Sequence, residues 1–512
     1  MKKKLGLFLI LNLLTVVIIF SGLGTAQEVS TVRVAMKTEP ASLHPITTQG
    51  TEVNVVLAQI SDPLLSVDEK GNFTTEGSIL EDFSIEEDGK VYVFNIREGI
   101  TFHNGEVLDA EVLKFNYESW LDEKLASPYR AYYTVIDNME IVDDYTLKVT
   151  LNKGDVTFLS YCQFNEHIVP KQYIEEVGWD GYAQKPIGTG PYKFVEYNSG
   201  RRILLEKNEN YWGKEVDIDR VEFNFYPESN SAVMATMTKE VDFYLEPNAE
   251  EYKRLKDEPG IASAEYRKFQ DDRICFNKRE DSIFSDVRLR QAVAYAINRD
   301  EIITLTRGDM AVPAVGRIPD FHPATAPNAN DYEYNPEKAK ELLAEAGYPD
   351  GFETSIYVAS NHKDRVQEAQ LIQQHLAQVG IDCEVVAIEW GTYLDVTATG
   401  EAPMFRERWV TGGPSPYDFV ELYHKDSSWN SIFGTYDKPV VNALVEELVT
   451  TVDNEERWAI YREIQEIVLE DAACYPLYWP IQGAVYNDEL HIPEESFTAF
   501  NEYIDIENWS FK

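Results

Sequence analysis

The chain has 512 residues, 44% of them apolar, which is enough material for more than one buried core. It carries 46 Lys and Arg against 88 Asp and Glu, a formal net charge of −42 at pH 7. That balance excludes a nucleic-acid partner, because neutralising phosphates takes clustered Lys and Arg that are absent here.

The N-terminus comes first in chain order. Met1 to Lys4 is basic, Leu5 to Phe20 is almost continuously apolar, and Gly24-Thr25-Ala26 supplies the small residues a signal peptidase reads. The expectation is a signal peptide over 1–26, cleaved after Ala26, and a protein released to the periplasm or the cell exterior; the competing reading is a membrane anchor. No Cys stands just after the apolar run, so a lipid anchor at that point is not expected.

Beyond the leader, period-2 alternation predicts strands at Thr31 to Met36, Lys90 to Ile96, Thr146 to Leu151, Ile203 to Lys207 and Arg220 to Tyr226. Helical spacing predicts helices at Asp286 to Ile297, Pro336 to Ala346 and Arg365 to Val379, the last with Val366, Ala369, Ile372, Leu376 and Val379 on one face. Asp286 reads as an N-cap, and Gly347 and Gly380 as C-caps. Such a mixture predicts α/β lobes. Between the strands lies Ile187 to Trp212, IGTGPYKFVEYNSGRRILLEKNENYW, in which Gly188, Gly190 and Pro191 read as a rigid corner, with freedom at the glycines that a Cβ would remove.

Four cysteines, Cys162, Cys275, Cys383 and Cys474, lie more than ninety residues apart and match no zinc motif. Buried thiols and a single disulfide both remain open for them. The acidic residues are spread through amphipathic segments such as Asn442 to Asp471, so they read as a solvated surface that stays soluble in high salt, and a saline habitat is expected. No G-x-S-x-G, H-E-x-x-H, P-loop or G-x-G-x-x-G occurs; a secreted hydrolase is the alternative from a different class, and the expectation is that the protein is not an enzyme and needs no cofactor.

The segment GTGPY followed by N-x-x-YWG resembles the signature of the family 5 extracellular solute-binding proteins. Four further segments match in the family's order: Val91 to Glu118, Phe284 to Ile303, Tyr334 to Phe352 and Ile372 to Asp382. The resemblance implies a two-lobed periplasmic-binding-protein fold of type II, cluster C, with lobe I formed from 27–70, 187–268 and 483–512, an inserted subdomain at 71–186 and lobe II at 269–482. It implies a monomer that delivers a peptide to the permease of an ABC importer; a nickel chelate is the runner-up ligand and an oligosaccharide the third.

Ligand contacts follow from the same resemblance. Arg130 and Tyr133 fall where nickel binders place an Arg and a Trp, a pairing able to clamp a carboxylate and offer a ring face. Glu166 replaces a second carboxylate-binding Arg. Trp409 matches the family's ligand-facing Trp, with Arg406 and Arg408 beside it, Gly412 at the position of the usual amine-binding Asp, and Tyr417 and Asp418 nearby. His44 lies in the segment that approaches the hinge. No metal ligand is expected; His424 is the weak candidate.

Overall fold

The computed structural model describes residues 29–512, apart from 49, 69–70, 165–166, 412–415, 434 and 498–503. The leader, and with it the expected cleavage after Ala26, lies outside the described residues. Among those described, no helix is long and apolar enough to cross a membrane.

The strand Thr31–Met36 shows how the architecture starts. Its alternation buries Val32, Val34 and Met36 completely or nearly so, and it pairs in parallel with Arg220–Phe225 on one side and Phe243–Tyr244 on the other. These strands belong to a 12-stranded sheet that runs through the molecule. Its backbone is the 14-residue strand Cys474–Asn487, which pairs with Phe269–Phe276 over its first part and with Ile261–Arg267 over its last. Only Lys268 separates those two partners, so the chain crosses between the halves of the sheet twice, side by side.

On one half, Glu353–Ala359 and Asp382–Ile388 run parallel, connected through the helix Lys363–Ala377. A separate four-stranded antiparallel sheet, in the order Leu80–Glu86, Val91–Ile96, Thr146–Leu151, Ile136–Asp143, packs around Tyr92, Phe94, Tyr117 and Trp120. Several distinct apolar clusters, each built on one sheet region, are what a two-lobed α/β protein needs.

The expected elements form with small shifts. The helix expected at Arg365 begins at Lys363 and ends at Ala377. Asp286 caps its helix by accepting from the Arg288 N–H, and Gly347 and Gly380 take φ of 92° and 90° just past their helices.

Gly188 and Gly190 need a different explanation from backbone freedom, since neither has positive φ. A Cβ on Gly188 would lie 2.2 Å from the Ile60 carbonyl oxygen, and one on Gly190 2.6 Å from its carbonyl carbon. The corner is pressed against the end of the helix Thr51–Ile60: Gly190 N–H donates to Ile60 O at 2.8 Å, and Thr189 Oγ1 accepts from Asp62 N–H. Asp62 also receives Tyr211 Oη–H at 2.6 Å and Trp212 Nε1–H at 2.7 Å, so the two ends of the signature meet on one buried carboxylate. All four cysteines are free and buried, which removes the disulfide alternative for this structure.

Candidate functional site

The strand Met404–Thr411 lies between Phe269–Phe276 and the parallel strand Glu353–Ala359, near the start of the helix Lys363–Ala377. Its alternation divides the charged residues between two sides. Arg406 and Arg408 go to one, Glu407 and Trp409 to the other.

On the first side, Arg406 is wholly buried and donates to Glu368 at 2.8 and 3.0 Å, to Asp272 at 2.9 Å and to Tyr478 Oη at 3.1 Å. Arg408 shares Asp272 at 3.1 Å, and Arg307 joins Asp364 at 2.8 Å and Glu368 at 3.0 Å. Burial alone would raise the Asp272 pKa, but Arg408, Arg406 and Arg307 hold it well below the usual carboxylate range. These charges are mutually compensated, as buried ions must be.

Above them is a cavity of about 370 Å³ where the two halves of the sheet meet; Arg307, Asp364 and Arg408 line it from one half, and Glu246 with Tyr252 from the other. Lys268, at the crossing, pairs with Glu246 at 2.8 Å on its wall.

On the second side, Trp409 packs edge-on to Trp429 and Phe433, with the Arg317 guanidinium 5.7 Å from its ring centre. Asp271 accepts from Arg317 at 2.8 Å and from Arg273 at 3.1 Å. Arg273 stands directly across the strand pair from Glu407 without bonding to it, and its Nε and Nη2 have no partner although the residue is only 2% exposed. Arg365 is 6% exposed, and its guanidinium makes no hydrogen bond or ion pair among the described residues. Burial, reinforced by Arg408, lowers the Arg365 pKa. Glu407 accepts from Tyr393 Oη–H at 3.1 Å and Arg408 N–H at 2.9 Å; burial lifts its carboxyl above the ordinary range against the pull of Arg365.

Of the residues expected at the site, Arg406, Arg408 and Trp409 come together here, with both arginines on one side as their spacing requires. Arg408 reaches the cavity; Arg406 lies beneath it. Arg130 is elsewhere, donating to Leu121 O at 3.0 Å and pairing with Glu123 at 2.9 Å. Tyr133 is core, stacked on Trp120 at 5.1 Å. His44 is buried against Trp179 at 5.3 Å, accepts from the Ile46 N–H, and has its pKa lowered by burial. His424 lies 3.7 Å from Glu446, and no three His, Cys, Asp or Glu side chains converge on a metal position among the described residues. Glu166 and Gly412 lie outside the described residues, as do the side chains of Tyr417 and Asp418.

Arg273, Arg365, Asp272 and Glu368 were not singled out from the sequence. A signal existed: the strand Phe269–Phe276 is buried at all eight positions yet contains Asp271, Asp272 and Arg273 in succession, a placement that core packing does not ask for.

An α/β molecule with paired crossing strands and charged groups converging where its halves meet is a ligand-binding architecture of the two-lobed type. The chain belongs to the bacterial extracellular solute-binding proteins, family 5, whose middle region matches residues 74–431. It is similar to the heme-binding protein A of Haemophilus influenzae, 29% identical over 84% of this chain and 83% of that protein, and to the glutathione-binding protein GsiB of Pectobacterium atrosepticum, 28% identical over 77% and 78%. Among solved structures, the periplasmic binding protein DppA of Helicobacter pylori in complex with the peptide STSA superimposes with a TM-score of 0.76 at 27% identity, covering 94% of this chain and 98% of that one.

Proposed function

We propose that this protein captures a short peptide between its two lobes outside the cytoplasmic membrane, after losing residues 1–26, and delivers it as a monomer to the permease of an ABC importer. The observation that carries the reading is Arg365: a buried residue whose Nε has no partner among the described residues, at the start of a helix that follows a parallel strand, the crevice where open α/β sheets bind ligands. A peptide carboxylate supplies two parallel acceptors for it. The relatives that bind peptides, STSA and glutathione among them, support the class of ligand.

Lobe I would combine 27–70, 187–268 and 483–512, with 71–186 inserted, and lobe II would be 269–482. The crossing at Lys268 and the change of partner near Ile481 in the strand Cys474–Asn487 support those boundaries. Closure about the crossings would bury the ligand, and the permease would recognise the closed form. Hydrolysis is not part of this reading, and no cofactor is needed.

Titration calorimetry with di- and tripeptides tests it. Binding should release heat with a Kd in the micromolar range or below, and Trp409→Ala should weaken it about tenfold by removing an aromatic face. Saturable binding of a nickel chelate with no response to any peptide would replace this reading.

A further inference from the structure

We propose that Cys275 and Cys474 are an oxidation site, a pair of thiols that becomes a disulfide once the protein has left the cytoplasm and so ties together the two strands that meet at the crossing. Both are free thiols here. They stand directly opposite each other where Phe269–Phe276 pairs antiparallel with Cys474–Asn487. Residues opposed in this way point to the same side of a sheet, with Cα atoms about 4.5–5.5 Å apart. A disulfide spans Cα atoms about 4.4–6.8 Å apart, so the register alone puts this pair within bridging range. Both belong to one apolar cluster, whereas Cys162 and Cys383 lie in two others, each without a second cysteine. A further contact fixes the juxtaposition: Lys278 Nζ donates at 2.9 Å both to Phe276 O and to Ala473 O, the carbonyls of the residues next to each cysteine. The family is extracellular, and outside the cytoplasm disulfides form and persist.

The oxidant is another disulfide, carried by an exported oxidoreductase or by oxidised glutathione. One protein thiolate attacks a sulfur of that disulfide and releases its first thiol; the second protein thiolate then attacks the protein sulfur of the mixed disulfide and releases the other. The oxidant's S–S bond breaks, the Cys275–Cys474 bond forms, two electrons pass to the oxidant, and the two protein thiol protons end on its sulfurs. Burial pushes the Cys275 thiol up to about 12 and raises Cys474 as well, with Arg273 and Lys278 pulling against it. The folded pair is therefore slow to exchange, and the bond forms as the strand Cys474–Asn487 joins its partner during folding. It closes a loop holding nearly all of residues 269–482, and a loop that long restricts the unfolded chain strongly.

The test is alkylation of the full chain after export to an oxidising compartment, with the purified protein denatured in iodoacetamide with and without prior reduction. Without reductant, mass spectrometry should find alkyl groups on Cys162 and Cys383 only, and a peptide linking Cys275 to Cys474; after reduction all four cysteines should be alkylated. Reduction should lower the melting temperature by at least about 5 °C, and the Cys275→Ser, Cys474→Ser double variant should lose that dependence on reductant. Alkylation of all four cysteines without reductant, or a linkage between any other two, overturns the inference, and this count is read on the unaltered protein even if the double variant does not fold.

Discussion

At the scale of single residues, the buried ion network sets strict limits on substitution. Asp272 is the only carboxylate shared by Arg406 and Arg408 among the described residues. Asp272→Asn keeps the shape but leaves two guanidinia with a net positive charge in the interior, which should cost about 3–5 kcal/mol, read as a fall in the urea midpoint. Glu507 gives a pH-dependent case. Burial, with Asp62 and Asp505 adding to it, raises its pKa from 4.5 to about 7. Between those values the folded state holds a proton that the unfolded state has released, so the stability this group contributes is present below pH 4.5 and is lost as pH rises to 7. Glu507→Gln, which mimics the protonated form and keeps a polar group beside Tyr211 Oη, should match the parent protein at pH 4.5 and exceed it by about 3 kcal/mol at pH 8. A stability difference independent of pH would show that Glu507 titrates normally.

Among the elements, the signature corner is where a small change should cost most. Gly188 and Gly190 face the Ile60 carbonyl, which is backbone and cannot turn aside. Gly190→Ala should therefore destabilise by about 3 kcal/mol, the upper end for overpacking, whereas Gly200→Ala, in an open turn with φ of 72°, should cost about 1 kcal/mol from conformation alone. Parallel thermal melts of the two variants check this ordering. The same elements show what a sequence discloses. Thr31–Met36 and Thr146–Leu151 form where their alternation predicts because period 2 and burial on one face are the same fact. The helix Lys363–Ala377 starts two residues early because its first turn, Lys363-Asp364-Arg365, carries no apolar stripe; that turn faces the charged crevice. Pairing between distant strands had no local signal. Asp272 meets Arg406 across 134 residues, and only the register of Phe269–Phe276 against Met404–Thr411 brings them together. Trp409, Arg406 and Arg408 share one strand beside the cavity, whereas Arg130 pairs with Glu123 and Tyr133 stacks on Trp120, and from sequence an Arg or a Tyr serves a surface ion pair or a core equally well.

For the whole molecule, the net charge of −42 opposes compaction by self-repulsion, and added salt screens it over a Debye length that falls from about 10 Å at 0.1 M to about 3 Å at 1 M. The melting temperature should rise between 0.1 M and 2 M KCl; a protein adapted to dilute surroundings would show no such rise. If the lobes divide as proposed, the adjacent strands that join them should confine their relative motion to the neighbourhood of Lys268 and Ile481, where main-chain pairing continues across the junction. On the proposed function, a ligand held between them is buried on closure and should survive gentle purification. Native mass spectrometry of gently purified protein, set against its mass after denaturation, is therefore the most direct test of peptide capture. The predicted result is a heterogeneous set of losses at the masses of short peptides, and a single loss bearing the isotope pattern of nickel or the mass of a sugar would contradict it.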